Sequence, residues 1–392
     1  MSDEVFIISG ARTPMGGLQG NLSQANATEL GATAIREAVR RAGIDAQHID
    51  EVVMGNVLPA GLKQGPARQA ALGAGLLPAT GCVTLNKLCG SGMQATIYAH
   101  DQIKAGTNSI VVSGGMESMS NAPYIIDNAR AGLRMGHKQL QDHMLLDGLE
   151  DATTGRMMGS FAQETADEHS LTREAMDEFA LASLARAQKA IAEGLLDDEM
   201  APVTIATRKG EHVITEDEQP GNAMPEKIPK LRPAFSKDGT VTAANSSSIS
   251  DGASALVLMG ASAIAEHGVK PIAKIIAHSR QSQHPSKFTT APIGAISKLL
   301  EKSGWEKDSV DLWEINEAFA MVTMLAMQEL DIPRSKVNVH GGACAVGHPI
   351  GSTGSRIIVS LMYQLQRYNK KRGIAALCIG GGEATAVALE IC

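Results

Sequence analysis

Aromatic side chains are scarce. Phe, Tyr and Trp together make up 3% of the 392 residues, which argues against a surface built to stack bases or sugar rings. An excess of basic charge is also missing: 35 Lys and Arg against 42 Asp and Glu leave a net charge of −7. A non-specific nucleic-acid binder would be basic. The five cysteines (Cys82, Cys89, Cys344, Cys378 and Cys392) form no CxxC pair. That spacing offers no zinc cluster, and the odd, sparse count argues against a disulfide framework. No apolar run reaches transmembrane length. The start, acidic before Val5, lacks a basic segment followed by an apolar one, and the end, Glu390-Ile391-Cys392, is not a peroxisomal tripeptide. A soluble cytoplasmic protein without membrane or nucleic-acid partners is expected. There is no P-loop and no His-x-x-x-His helix, and Gly73-Ala74-Gly75 lacks the third glycine of a dinucleotide fingerprint.

What is present is apolar material for a large core, 44% of residues, with 40 glycines and 18 methionines. The length predicts two or three domains. Short apolar strands are predicted at Val5–Ser9, Val52–Val57, Val83–Leu85 and Ser109–Gly114. Between them helices are predicted at Ala27–Ala42, stopped by Gly43, at Pro66–Leu77 and at Met93–Ala105. This alternation signals an α/β fold with covered sheets. Residues 121–244 read differently, as an inserted loop domain. They carry one amphipathic helix, Thr172–Glu193, and a polar stretch, Thr207–Arg232, with few strands. From Ser250 the α/β pattern resumes. Strands are predicted at Ala255–Met259, Ile272–His278, Leu312–Ile315, Val337–Val339, Ile374–Ile379 and Ala384–Ile391. Helices are predicted at Gly294–Gly304, Phe319–Leu330 and Gly351–Tyr368. The expected division is 1–120 with 245–270 returning to it, 121–244, and 271–392. The run Ile110 to Glu117 is echoed by Ala376 to Glu383, and Cys89-Gly-Ser-Gly before a helix is echoed by the glycine-rich turn before Gly351. Two echoes in the same order suggest a duplicated unit.

Four segments could carry chemistry. Cys89, in Asn86-Lys87-Leu88-Cys89-Gly90-Ser91-Gly92, stands where a helix N-terminus would favour its thiolate. It is either a nucleophile or a structural cysteine at a tight turn. His348, in Gly347-His348-Pro349-Ile350-Gly351, is either a structural histidine or the base such a cysteine needs. Cys378 ends an apolar strand, where cysteine is ordinary. It precedes Gly380-Gly381-Gly382, whose N–H groups could face an oxyanion. Asn316, in Asn316-Glu317-Ala318-Phe319, could cap a helix or hold a water beside a reacting carbonyl. Basic residues Arg208, Lys209, Lys227, Lys230, Arg232 and Lys237 are a solvated face or a patch for a phosphorylated ligand.

In this order the motifs Asn-x-x-Cys-Gly-Ser-Gly, Asn-Glu-Ala-Phe, Gly-His-Pro-x-Gly and Cys-x-Gly-Gly-Gly resemble the thiolase family, and the similarity runs from Gly10–Pro14 to the last strand. The branch it looks closest to is the acetoacetyl-CoA one. The resemblance implies a duplicated five-layer αβαβα core with a loop domain over the site. It also implies reversible CoA-dependent thiolysis of acetoacetyl-CoA, or condensation of two acetyl-CoA, through an acyl-Cys89 intermediate. Cys89 would then be the nucleophile, His348 its activator and Asn316 the holder of a water in one oxyanion hole. Cys378 would be the acid/base, and the N–H groups of Cys89 and Gly380 a second hole. Ser247, Leu149, Met158, Phe235, Ala243, Ala318 and Phe319 match positions lining the CoA and acyl pocket. Phe288 stands where some relatives have Met, Met157 where bacterial biosynthetic members often have His, and Pro220 and Lys227 near where some relatives use Arg and Ser. Coenzyme A would be a co-substrate, with no permanent cofactor and no metal, and the chain a homo-oligomer, dimer or tetramer. Four alternatives remain: a broad-chain 3-ketoacyl-CoA thiolase, a decarboxylating ketoacyl synthase on the same fold, a non-catalytic lipid-binding relative, and a cysteine hydrolase that would release free acetate.

Overall fold

The structure is a computed structural model describing residues 4–208 and 210–392; Lys209 lies outside the described residues. Nine strands form one path: β1 (Val5–Arg12), β2 (Glu51–Gly55), β3 (Gly81–Leu85), β4 (Ile110–Ser118), β5 (Ser250–Gly260), β6 (Ala273–Ser282), β7 (Leu312–Ile315), β8 (Arg372–Ile379) and β9 (Glu383–Ile391). Their order is β7-β8-β9-β6-β1-β5-β4-β2-β3. The halves meet at β1 and β6, which share only the pairs Phe6↔Lys274 and Ile7↔Ala273. In the first half β3 and β4 run parallel to β2 on either side of it, and in the second β8 runs parallel to β7. The crossovers are helices: α1 (Ala27–Ala42), α2 (Pro66–Gly73), α3 (Ser91–Lys104), α4 (Met158–Glu168), α5 (Arg173–Ala192), α6 (Ala291–Ser303), α7 (Ala320–Glu329) and α8 (Thr353–Arg367).

Strand alternation sorts the layers. Val52, Met54 and Val112 face outward onto Leu30 and Ile35 of α1 and Ala70 of α2. Val53 and Val111 face inward onto Met93 and Ile97 of α3. In the other half Ala375 and Leu377 face inward onto Ile357 and Leu361 of α8, while Ile374 and Ala376 face outward toward Ile296 and Leu299 of α6. The result is α, β, a shared middle layer of α3 and α8, β, α: the five layers expected. Each fully buried Ile, Leu or Met of that middle layer contributes about 1.5–3 kcal/mol by leaving water. Small residues let α3 and α8 approach. A Cβ on Gly92 would lie 2.5 Å from Ser355 Oγ, and one on Gly354 2.4 Å from Met93 N.

Local signals set most boundaries. Asn26 accepts from the N–H groups of Thr28 and Glu29 while Glu29 accepts from Asn26 N–H, and Gly43 ends α1 at φ 65°. Two expectations fail. Helix α2 stops at Gly73 rather than Leu77. The strand expected at Val337–Val339 shrinks to a single parallel bridge from Val337 to Trp313. There Asn338 turns left-handed (φ 47°), and its side chain bonds to both Ile315 N and Ile315 O at 2.9 Å, replacing the ladder. The polar stretch after Thr207 begins with a hairpin, Val203–Thr207 paired with Gly210–Ile214.

Within 121–244, α4 and α5 carry Phe161, Ala162, Met176 and Phe179 into an apolar cluster with Ala320, Met321 and Val322 of α7. This lays the segment across the ends of β7 and β8. Among the described residues no helix is long and apolar enough to cross a membrane.

Candidate active site

The duplication places four loops at one end of the parallel strands, where open α/β sheets present ligand sites. Asn316 follows β7, Cys89 lies between β3 and α3, His348 lies between the Val337 bridge and α8, and Cys378 lies at the end of β8.

The Cys89 turn is tightly specified. Leu88 is left-handed at φ 48° and its N–H is held by Asn86 Oδ1 at 2.8 Å. Ser91 Oγ accepts from Lys87 N–H (2.8 Å) and donates to Leu88 O (2.7 Å). Gly90 is required because a Cβ there would sit 2.3 Å from Ile379 Cδ1. The nucleophile turn thus rests directly on the Cys378 strand end, and Lys87 pairs with Glu383 across the same junction. The backbone N–H groups of Gly380 and of Cys89 itself both donate toward the Cys89 sulfur. The Cys378 thiol is close enough to be raised further by charge on Cys89.

Burial governs the protonation states. It pushes the Cys89 thiol up to about 11 against the pull of its two N–H donors. The thiolate expected from the helix N-terminus is therefore not the resting state, because desolvation outweighs the N–H donors and the Glu117 charge adds to it. Burial also lifts Cys378 well above the ordinary thiol range. His348 is driven down to about 3, first by burial and then by the positive charge of Arg356. The resting site holds two thiols and a neutral imidazole.

The tautomer of that imidazole follows from hydrogen-bond bookkeeping. His348 Nδ1 lies 2.6 Å from Thr353 Oγ1, and the Thr353 hydroxyl spends its only proton on Pro349 O at 3.0 Å. Nδ1 must therefore be the donor, leaving Nε2 with a lone pair. His348 Nε2 is buried and has no hydrogen-bond partner among the described residues. Asn316 is in the same condition. It is 2% exposed, and neither Nδ2 nor Oδ1 has a partner among them. An amide so placed calls for a water or a ligand.

Met158, Phe235, Phe288, Ala318 and Phe319 share one apolar cluster with Cys378. The ring of Phe319 lies edge-on to Phe235 (6.3 Å between centroids) and Phe288 (6.4 Å). Leu149 joins Cys89 and Ile350 in an adjoining cluster. Ser247 is turned to the backbone, its N–H and hydroxyl both donating to Ala318 O at 2.9 and 3.0 Å. Beside it a cavity of about 320 Å³ is lined by Ala243, Ser248, Met224, Lys227, Leu231 and Cys344 among others. The basic cluster divides: Lys227 faces this cavity, whereas Arg208 lines a different groove with Gln24 and His212. Pro220 is buried and accepts from Gln188 at 2.9 Å.

Three residues not singled out from the sequence support the loops. Thr353 orients His348. Glu317 accepts from Ser183 Oγ, Asn338 Nδ2 and Cys344 N–H at 2.7, 2.8 and 3.2 Å. Glu117, wholly buried, accepts from the N–H groups of Val57, Leu58 and Gly351 and from Asn56 Nδ2, tying the His348 loop to the other half. Burial still raises its carboxyl to about 7. An acid closing the apolar strand Ile110–Ser118 was the available signal for Glu117.

The chain is similar to known proteins along its whole length. The chain matches the families described as "Thiolase, N-terminal domain" over residues 5–262 and "Thiolase, C-terminal domain" over residues 269–391. An acetyl-CoA acetyltransferase of Schizosaccharomyces pombe is 47% identical over 392 residues, 100% of this chain and 99% of its own. One from Escherichia coli (strain K12) is 46% identical over 386 residues, 98% of each chain. The crystal structure of the Bacillus anthracis acetyl-CoA acetyltransferase gives a TM-score of 0.97 at 40% identity, covering 100% of this chain and 99% of that one. A thiolase from Ascaris suum, solved in complex with coenzyme A, gives 0.94 at 40% identity over 99% of this chain and 100% of that one.

Proposed function

The chain belongs to the thiolase family, and from that membership we propose that it is an acetyl-CoA acetyltransferase, exchanging an acetyl group between acetoacetyl-CoA and coenzyme A. The observation that carries the reading is the meeting of two thiols, half-buried Cys89 and buried Cys378, beside the N–H groups of Cys89 and Gly380, with His348 Nε2 available as base.

In the thiolytic direction Cys89 gives its proton to His348 Nε2 as its sulfur attacks the 3-keto carbon. The N–H groups of Cys89 and Gly380 receive the oxyanion. Collapse breaks the C2–C3 bond, leaving acetyl-Cys89 and the enolate of acetyl-CoA. The enolate oxygen is held by His348, now protonated, and by a water on Asn316, while Cys378 protonates its carbon. Coenzyme A then gives its thiol proton to the Cys378 thiolate and attacks acetyl-Cys89. The departing Cys89 sulfur recovers its proton from His348. A thiol nucleophile keeps the acetyl group as an activated thioester between the half-reactions. Two cysteines with opposite duties favour this over decarboxylating synthase chemistry. Phe288 and Phe319, packed against Cys378, leave an acyl end suited to a short chain, and the cavity beside Ser247 and Lys227 suits the pantetheine arm. A homo-oligomer is supported by edge strand β3, where Val83 and nearby Leu72, Leu77 and Tyr98 are exposed. Five unpaired cysteines support a cytoplasmic setting.

The test is CoA-dependent cleavage of acetoacetyl-CoA beside a medium-chain 3-ketoacyl-CoA, with Cys89→Ala as control. Preference for the four-carbon substrate, with one acetyl group found on Cys89 by mass spectrometry, is expected. Comparable cleavage of the longer chain would make this a broad-range thiolase, and no cleavage of either would overturn the catalytic reading. Cys378→Ala is expected to lose most turnover, which a synthase would keep.

A further inference from the structure

Near its C-terminal end α3 touches the other half of the molecule through three side chains outside the active site. His100 and Asp101 lie on α3, and His278 lies on β6. One carboxylate oxygen, Asp101 Oδ1, is 3.0 Å from His100 Nδ1 and 2.8 Å from His278 Nε2. All three donor atoms fall within 4.8 Å of one another. The two imidazoles stand edge to face at 84°, with centroids 5.0 Å apart, so they approach the carboxylate from different planes.

We propose that His100, Asp101 and His278 form a binding site for a divalent first-row cation of the zinc class, clasping the nucleophile's helix to a strand of the opposite half. Two imidazoles and one carboxylate suit zinc-class metals, whereas calcium and magnesium prefer sites made of oxygens. The spacing is already near what a cation needs. Bonds of about 2.0–2.2 Å in a tetrahedral shell put neighbouring ligand atoms about 3.3 Å apart, close to the 2.8 and 3.0 Å seen around Asp101 Oδ1. A half-exposed Asp101 leaves the outer face open for water ligands.

Both imidazoles now share a hydrogen bond with Asp101 Oδ1, so each must change tautomer to offer its lone pair to a cation. Lys104 near His100, and Lys302 and Arg280 near His278, limit affinity, which makes this a modest site. Asp101 lies about 18 Å along α3 from Cys89, at about 1.5 Å per residue. The bound cation would act on stability and not on the chemical step.

The test is a titration of metal-stripped enzyme with Co²⁺, followed by visible and near-ultraviolet absorption, with thermal unfolding measured in parallel and repeated with Zn²⁺. One Co²⁺ per chain is expected, without a thiolate-to-cobalt charge-transfer band. His278→Asn and Asp101→Asn are each expected to weaken binding at least about tenfold and to abolish the rise in Tm that a cation bound only to the folded state produces. Both residues are partly exposed, so these variants avoid emptying the core. Absence of uptake at millimolar Co²⁺, a thiolate band, or parent affinity in either variant would overturn the site.

Discussion

Replacing Thr353 by Val tests the tautomer argument most directly. The two side chains have nearly the same shape, and the position is fully buried, so the change removes an acceptor and little volume. His348 Nδ1–H then loses its 2.6 Å partner. A buried N–H left unsatisfied costs about 1–3 kcal/mol. Nε2 has no protein partner among the described residues either, so the imidazole recovers that cost only by turning its N–H to another acceptor, which takes its lone pair away from Cys89. At 1.36 kcal/mol per factor of ten, an escape worth that much lowers the population of the competent arrangement by roughly 5- to 150-fold. The loss should appear in kcat/KM for acetoacetyl-CoA thiolysis, followed through disappearance of the substrate's enolate absorbance. Thr353→Ser keeps the acceptor and should recover most of the activity, which separates orientation of His348 from a general loosening of α8. If Thr353→Val kept kcat/KM within about twofold of the parent, the Thr353 bond would not be what fixes the tautomer.

Other consequences are equally open to measurement. Iodoacetamide should alkylate Cys89 slowly at neutral pH, at a rate still climbing above the ordinary thiol range, because burial raises the thiol to about 11; a plateau near pH 7 would contradict a resting thiol. Gly90→Ala would push a methyl group to 2.3 Å from Ile379 Cδ1 and should cost about 1–3 kcal/mol of stability in urea unfolding, with activity lost because the two cysteine loops separate. Burial lowers His340 to about 4, so folding favours its neutral form. Its contribution is whole above about pH 6.5 and is lost as pH falls toward 4, reaching about 3 kcal/mol there. His340→Gln should flatten the pH dependence of Tm across that window, and an unchanged slope would refute the assignment.

Much of the fold was legible because its determinants are local. The capping box at Asn26 and Glu29 and the left-handed Gly43 bound α1 at the predicted residues. Apolar runs marked the strands, and the echo between Ile110–Glu117 and Ala376–Glu383 matches strands only in part: the first segment stays within β4, the second leaves β8 at Ile379 and turns through Gly380–Gly382 into β9. Val337–Val339 misled because its strand-like composition competes with the Asn338 side chain, whose bonds to Ile315 depend on β7 lying beside it. Three of the chemical motifs were readable because each needs a short, glycine-shaped turn, and the fourth, Asn316-Glu317-Ala318-Phe319, because it stands between a strand and a helix.

What tertiary structure alone decided is how those turns act on one another. Cys89 and Cys378 meet, with the Asn316 and His348 loops beside them, because two similar halves share a middle layer, and no pattern within one segment encodes that arrangement. Proton affinities follow the same division. Sequence position beside a helix N-terminus argued for a Cys89 thiolate, whereas the depth of burial, set by residues hundreds of positions apart, makes it a thiol. His278 comes to lie against Asp101 across 177 residues of sequence, so no ligand spacing could announce that cluster. Local chemistry dictated which residues could react or bind. Packing dictated their charge, their tautomer and their neighbours, because desolvation and hydrogen-bond partners are supplied by the rest of the fold.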